Sequence, residues 1–153
     1  MTPSATCPLC TGDAGHVVWR QPELRIVRVT GADADEFPGF YRVIWHAHVA
    51  EWTDLTDSEQ ARCLRALNAT ERAVRGQLQP TKVNLASLGN VVPHLHWHVV
   101  ARFDGDSRFP SPIWAPAQRH TPVERLDAVR ARLPACDAAI VRAMSAPSLA
   151  VAD

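Results

Sequence analysis

Three histidines stand at every second position in Pro93-His94-Leu95-His96-Trp97-His98-Val99-Val100. Imidazole titrates near neutrality, attacks phosphorus or acyl carbon, passes protons and ligates metals. Three of the chain's seven histidines within five residues read as a site rather than a solvated polar face. A β-strand sends successive side chains to opposite faces, so it presents His94, His96 and His98 together and turns Leu95, Trp97 and Val99 the other way. On a helix, at roughly 100° per residue, the rings would scatter around the axis. The β-branched and aromatic residues favour the strand, and Pro93 fits its first position, where no ladder donor is needed. A strand running to Phe103 is expected, with the imidazoles lining its open face.

Two chemistries compete for that face. Consecutive sites are ~6.5–7 Å apart along a strand, so one metal ion cannot reach all three rings without a bulge. In the second reading one ring is a nucleophile while the others orient it and handle protons. The turn Leu88-Gly89-Asn90 offers backbone N–H groups and the Asn90 amide to an anionic oxygen. That arrangement suits a phosphoryl or nucleotidyl group.

The elements that must position these residues are legible around them. His16–Arg20 and Leu24–Val29 read as strands joined by Gln21-Pro22-Glu23, with an acidic loop from Gly31 to Pro38. Phe40 begins a third strand that runs into a loop carrying His46 and His48, and Gly39 marks a sharp turn. Thr56 and Glu59 form a capping box for a helix to about Gln77, with Cys63, Leu64, Leu67 and Val74 on one side. Lys82–Ala86 is a short fourth strand. Phe109–Pro116 is too rich in proline for a helix or central strand. Thr121 caps a second helix with Pro122 at its first position, running to about Leu133, and a further turn or two falls between Ala135 and Met144. Strands early and helices between and after them predict a single α+β domain over residues 1–153. Its antiparallel sheet has about five strands, a long helix on one face and a C-terminal helix.

Composition narrows the classes. At 153 residues, with sixteen basic and sixteen acidic side chains, the chain has a sizeable core and no basic field for a nucleic-acid polymer. No apolar run approaches the ~20 residues of a membrane span. Met1–Thr6 lacks the basic and apolar regions of a signal peptide, so a cytoplasmic location is expected. The terminal stretches Met1–Thr6 and Ser145–Asp153 are expected to fray. Cys7 and Cys10 have metal-hairpin spacing, but a tetrahedral ion needs two more ligands. Cys63 and Cys136 fall on helix faces and read as core residues. Trp45 and Trp97 read as core, whereas Trp114, flanked by prolines, is placed to reach a ligand or a partner.

The stretch from Asn84 through Gly89-Asn90 to Val100 resembles the histidine triad (HIT) superfamily, whose signature is His-x-His-x-His-x-x with x apolar. The likeness extends over residues 7–103, leaving an arm and helices over about 104–145. Known members hydrolyse or transfer nucleotides joined through their α-phosphate: dinucleoside polyphosphates, nucleoside phosphoramidates and adenylylated compounds. The resemblance implies that His96 is the nucleophile of a nucleotidyl-histidine intermediate. His98 would contact the phosphate and assist the leaving group, and His94 would support the site. It further implies phosphate or nucleotide contacts at Asn84, Gly89 and Asn90, and a base lying among Leu24, Ile26 and Ile44. A structural zinc at Cys7, Cys10, His48 and His94, no organic cofactor, and a homodimer are also implied. Gly89-Asn90 stands where the family has Gly-Gln, Val91 where some members have serine, and Ala101-Arg102 where Pro-Arg often follows. These departures bear on leaving-group preference. The alternative is a non-catalytic nucleotide-binding or zinc-stabilised scaffold protein.

Overall fold

Leu24, Ile26, Tyr41, Val43, Val99 and Ala101 all lie on one face of a twisted sheet, and every one is buried. The computed structural model describes residues 4–147. Five strands run β1 (His16–Arg20), β2 (Leu24–Arg28), β3 (Phe40–Trp45), β4 (Lys82–Ala86) and β5 (His96–Arg102) along the chain, in spatial order β1-β2-β3-β5-β4. Every neighbouring pair is antiparallel. The domain is α+β, as expected. Terminal residues 1–3 and 148–153 lie outside the described chain, and with them most of the fraying expected there.

The buried face packs beneath α3 (Asp57–Leu78) and α5 (Leu133–Ser145). The capping box opens α3 as read: the Thr56 N–H donates to Glu59 Oε2 at 2.8 Å, and the Glu59 N–H returns to Thr56 Oγ1 at 3.4 Å. Cys63, Ala66, Leu67, Thr70, Ala73 and Val74 form the inward stripe. Leu64, expected on that stripe, is instead exposed, because it stands roughly 100° around the helix from Cys63. Small residues take the close positions, letting α3 approach the sheet. At Gly39, φ is +92° and a Cβ would stand 2.7 Å from Leu78 Cδ1 and 3.1 Å from Ala101 Cβ. Only glycine fits that turn into β3 without strain.

Four local readings are corrected. The acidic loop contains the short helix α2 (Ala32–Glu36), with Asp33 and Asp35 at its start, where the helix dipole favours carboxylates. The Cys7–Cys10 stretch, read from its spacing as a hairpin, enters the short helix α1 (Pro8–Thr11), with proline at its first position. Thr121 does not cap α4 (Val123–Arg130): Pro122 flanks the helix, and the Thr121 hydroxyl is buried without a partner. The last segment forms one continuous helix, α5, of 13 residues.

The opposite sheet face is not open. Cys7 and Leu9 roof Val27 and Ile44 at one end, and Phe37 and Ile113 pack with Val29, Phe40 and Val100 at the other. The histidines lie between these two clusters.

Candidate functional site

The ladder of β5 starts one histidine later than expected. Its first pairs are His96 with Ile44 on β3, then Trp97 with Val43, and His98 with Arg42. His94 lies before the strand, its N–H turned to the Val92 carbonyl and its ring wholly buried. That ring points into a separate cluster. Its Nδ1 stands 3.4 Å from Cys7 Sγ, 3.4 Å from Cys10 Sγ and 3.3 Å from His48 Nδ1. One ligand atom from each of the four residues lies within 4.8 Å of every other.

Donor chemistry supports a metal there. The His94 Nε2–H donates to the Trp45 carbonyl at 2.6 Å, so Nδ1 carries a lone pair aimed at the two sulfurs and at His48. Bonds of ~2.0–2.3 Å at tetrahedral angles put ligand atoms roughly 3.3–3.8 Å apart, the range in which the spacings of His94 Nδ1 fall. A carbonyl behind a ligating histidine is the usual way such a ring is oriented. The four residues come from α1, the loop after β3 and the entry to β5, and they fit a metal ion.

His96 and His98 occupy the other half of the site. The His96 Nδ1–H donates to the His94 carbonyl at 2.6 Å, which leaves Nε2 as the lone-pair nitrogen. The two rings lie 4.8 Å apart, tilted by 59°. Among the described residues neither nitrogen of His98 has a partner, although both are buried. Burial pushes the His96 imidazole below its ordinary range, and the same effect, aided by His96 and Arg42, lowers His98 to about 3. Both rings are therefore neutral near pH 7. His96 is 9% exposed and His98 6%, so the imidazoles are roofed rather than displayed.

A groove of about 640 Å³ opens beside His98, walled by Trp114, Pro110 and Pro112 on one side and by Asn84, Ala86 and Leu88 on the other. The Trp114 ring stands 5.2 Å from His98 and is half exposed, on the rim of the groove. Asn84 is anchored: its Oδ1 accepts from Arg102 Nη1 at 2.8 Å, which leaves its amide N–H groups free. Arg102 is itself buried and forked onto Asp106, with a further bond to the Ser111 carbonyl at the base of the Trp114 arm. Sequence reasoning missed this brace; the alternation of charge in Ala101-Arg102-Phe103-Asp104-Gly105-Asp106 was its only trace.

Gly89 sits in a positive-φ turn at +72°, and Asn90 is exposed; neither borders the groove, where Leu88 stands instead. Leu24 and Ile26 are corrected as base-lining residues. They pack under the helices with no exposure, because β2 alternates and turns Arg25 and Val27 to the site face. Ile44 is on the site face, across from His96, and is buried beneath α1. His16 and His120 are surface residues.

With the geometry in view, comparison with known proteins decides the family. The HIT domain model matches residues 15–105, more than half of the chain. This chain belongs to the HIT family. Among solved structures, a histidine triad protein from Bradyrhizobium japonicum is 25% identical with a TM-score of 0.60, covering 78% of this chain and 91% of its own. One from Sinorhizobium meliloti is 25% identical with a TM-score of 0.63, covering 85% and 90%. An AP-4-A phosphorylase of Mycobacterium tuberculosis is 32% identical over 78 residues, 47% of this chain and 40% of the relative. This HIT chain thus spans about two fifths of the curated relatives it matches. No helix among its described residues is long and apolar enough to cross a membrane.

Proposed function

We propose that the protein is a nucleotidyl hydrolase or transferase that cleaves an α-phosphate bond through His96. The observation that carries this reading is the 2.6 Å bond from His96 Nδ1 to the His94 carbonyl. It assigns the proton to Nδ1 and leaves Nε2 free to attack phosphorus, beside a second buried imidazole with no internal partner.

In this reading a nucleotide conjugate binds with its α-phosphoryl group between His96 and His98. His96 Nε2 forms an N–P bond as the bond from phosphorus to the leaving group breaks, and the electron pair leaves with that group. His98, neutral and otherwise unpartnered, gives a hydrogen bond to the phosphoryl or leaving oxygen. Water, or another nucleophile, then attacks the nucleotidyl-histidine, restores His96 and releases the nucleotide. The substrate class is a dinucleoside polyphosphate, a phosphoramidate or an adenylylated compound, and hydrolysis is the favoured outcome. The AP-4-A phosphorylase match supports the nucleotide part of this reading. Asn84 would contribute its free amide from the groove, with Gly89 and Asn90 moving onto the phosphate only if their turn closes.

Zinc is the metal we assign to Cys7, Cys10, His48 and His94. It would act as a structural cross-link, with no part in the bond changes. A homodimer and a cytoplasmic location complete the proposal.

The test is His96→Asn. This variant should lose turnover by on the order of 10³-fold or more while binding AMP as the parent does. Radiolabelled nucleotide should remain on the parent chain after an acid-free quench and be absent from the variant. Undiminished turnover by His96→Asn would overturn the mechanism. AMP binding with no turnover by either protein would favour the non-catalytic nucleotide-binding alternative.

A further inference from the structure

Cations on the site face differ sharply in how they are held. Arg25 donates to the carbonyls of Leu9 at 2.8 Å, Gly12 at 2.9 Å and Asp13 at 3.1 Å. Arg102 makes four bonds, to Asp106, Asn84 and Ser111. Among the described residues Arg42 makes none. Its Nε is buried without a partner, and its nearest carboxylate, on the mostly exposed Asp33, stands 4.0 Å away. Burying a guanidinium N–H without a hydrogen-bond partner is costly, so a fold keeps such a group where something else meets it.

Its position says what that something is. Arg42 pairs directly with His98 across the β3–β5 ladder. Directly opposed side chains share a face, with Cβ atoms roughly 4.5–5.5 Å apart. The guanidinium lies 5.2 Å from the centre of the Phe40 ring, whose neighbour at 5.4 Å is His98 itself. Arg42 therefore borders the two imidazoles with no hydrogen bond among the described residues and only the distant Asp33 carboxylate for its charge, in a site read as receiving a phosphoryl anion.

We propose that Arg42 is the anion receptor of this site and binds the non-bridging oxygens of the phosphoryl group presented to His96 and His98. The proposal rests on the functional reading above and adds a residue outside the histidine alternation. Arginine suits the role because its planar fork meets two phosphoryl oxygens at once.

The experiment compares the affinities of AMP and adenosine for the parent chain, Arg42→Lys and Arg42→Gln, with thermal melts as a check on folding. The parent should bind AMP more tightly than adenosine. Arg42→Gln should weaken AMP by roughly tenfold to a hundredfold, the range for losing a charge-assisted contact, and leave adenosine within about twofold. Arg42→Lys should recover part of the loss, since it keeps the charge without the fork. A parent that prefers AMP, with variants that keep the full preference or lose both ligands equally, would overturn the role of Arg42 alone. A parent that shows no preference for AMP would overturn the functional reading, and this proposal with it.

Discussion

His98 has both ring nitrogens buried without partners, and that single fact has a thermodynamic consequence. Burial, with the charges of His96 and Arg42 added, lowers this imidazole from 6.5 to about 3. Between those values the unfolded chain holds a proton on His98 that the folded chain does not. Stability contributed by the neutral ring is thus fully present above about 6.5 and is lost as pH falls toward about 3. Urea melts from about pH 7.5 to about pH 4.5 should show stability falling with acidity, and His98→Asn should flatten part of that fall. His96, also shifted down by burial, adds to the slope in the same direction. Equal slopes in parent and variant would show that His98 protonates without resistance, contrary to its enclosure.

At the scale of elements, a dense set of polar bonds braces β5 against the arm after it. Asp106 accepts from Arg102 Nε at 2.8 Å and Nη2 at 2.9 Å, and from the backbone N–H groups of Arg108 and Phe109 at 3.0 and 2.7 Å. Burial works to raise this carboxyl, but the Arg102 and backbone bonds outweigh it and hold it below the usual range. Asp106→Ala leaves Arg102 buried and uncompensated, and should cost about 3–5 kcal/mol in denaturant melts. It should also weaken ligand binding beyond the stability loss, because Arg102 fixes both Asn84 and the segment carrying Trp114. A loss under about 1 kcal/mol would show that the pair is dispensable. Local pattern made β1 to β4 and the start of α3 readable, since alternation and the Thr56–Glu59 box are short-range signals. The helix α2 and the early end of the β5 ladder were not. Alternation places His94 in register with His96, yet Cys7, 87 positions away, draws its ring out of the strand. Nor could period alone foretell that Leu9 packs over Val27 and Ile44, and Ile113 over Phe40 and Val100, on either side of the imidazoles, because what covers a face is settled by distant chain.

Across the whole molecule, the cysteine–histidine cluster joins α1, the loop after β3 and the entry to β5. His94 serves both halves of the site: its ring faces the sulfurs, while its carbonyl holds His96 Nδ1. A metal on the ring would therefore also fix the peptide that orients the proposed nucleophile. The purified chain should retain about one zinc ion per molecule, the number that four ligands of this kind hold. If zinc is held so that its free concentration exceeds its dissociation constant about a thousandfold, it adds about 4 kcal/mol, or roughly 8–16 °C in Tm for a chain of this size. Chelation should remove that increment in the parent and change little in Cys10→Ser, whose cluster has lost a thiolate. The metal-free parent should also lose kcat more than KM, since His96 would keep its ring but not its fixed orientation. Equal melting temperatures with and without chelator, in a protein shown by elemental analysis to have been zinc-loaded, would mean that the four side chains share a corner of the fold without being tied by an ion.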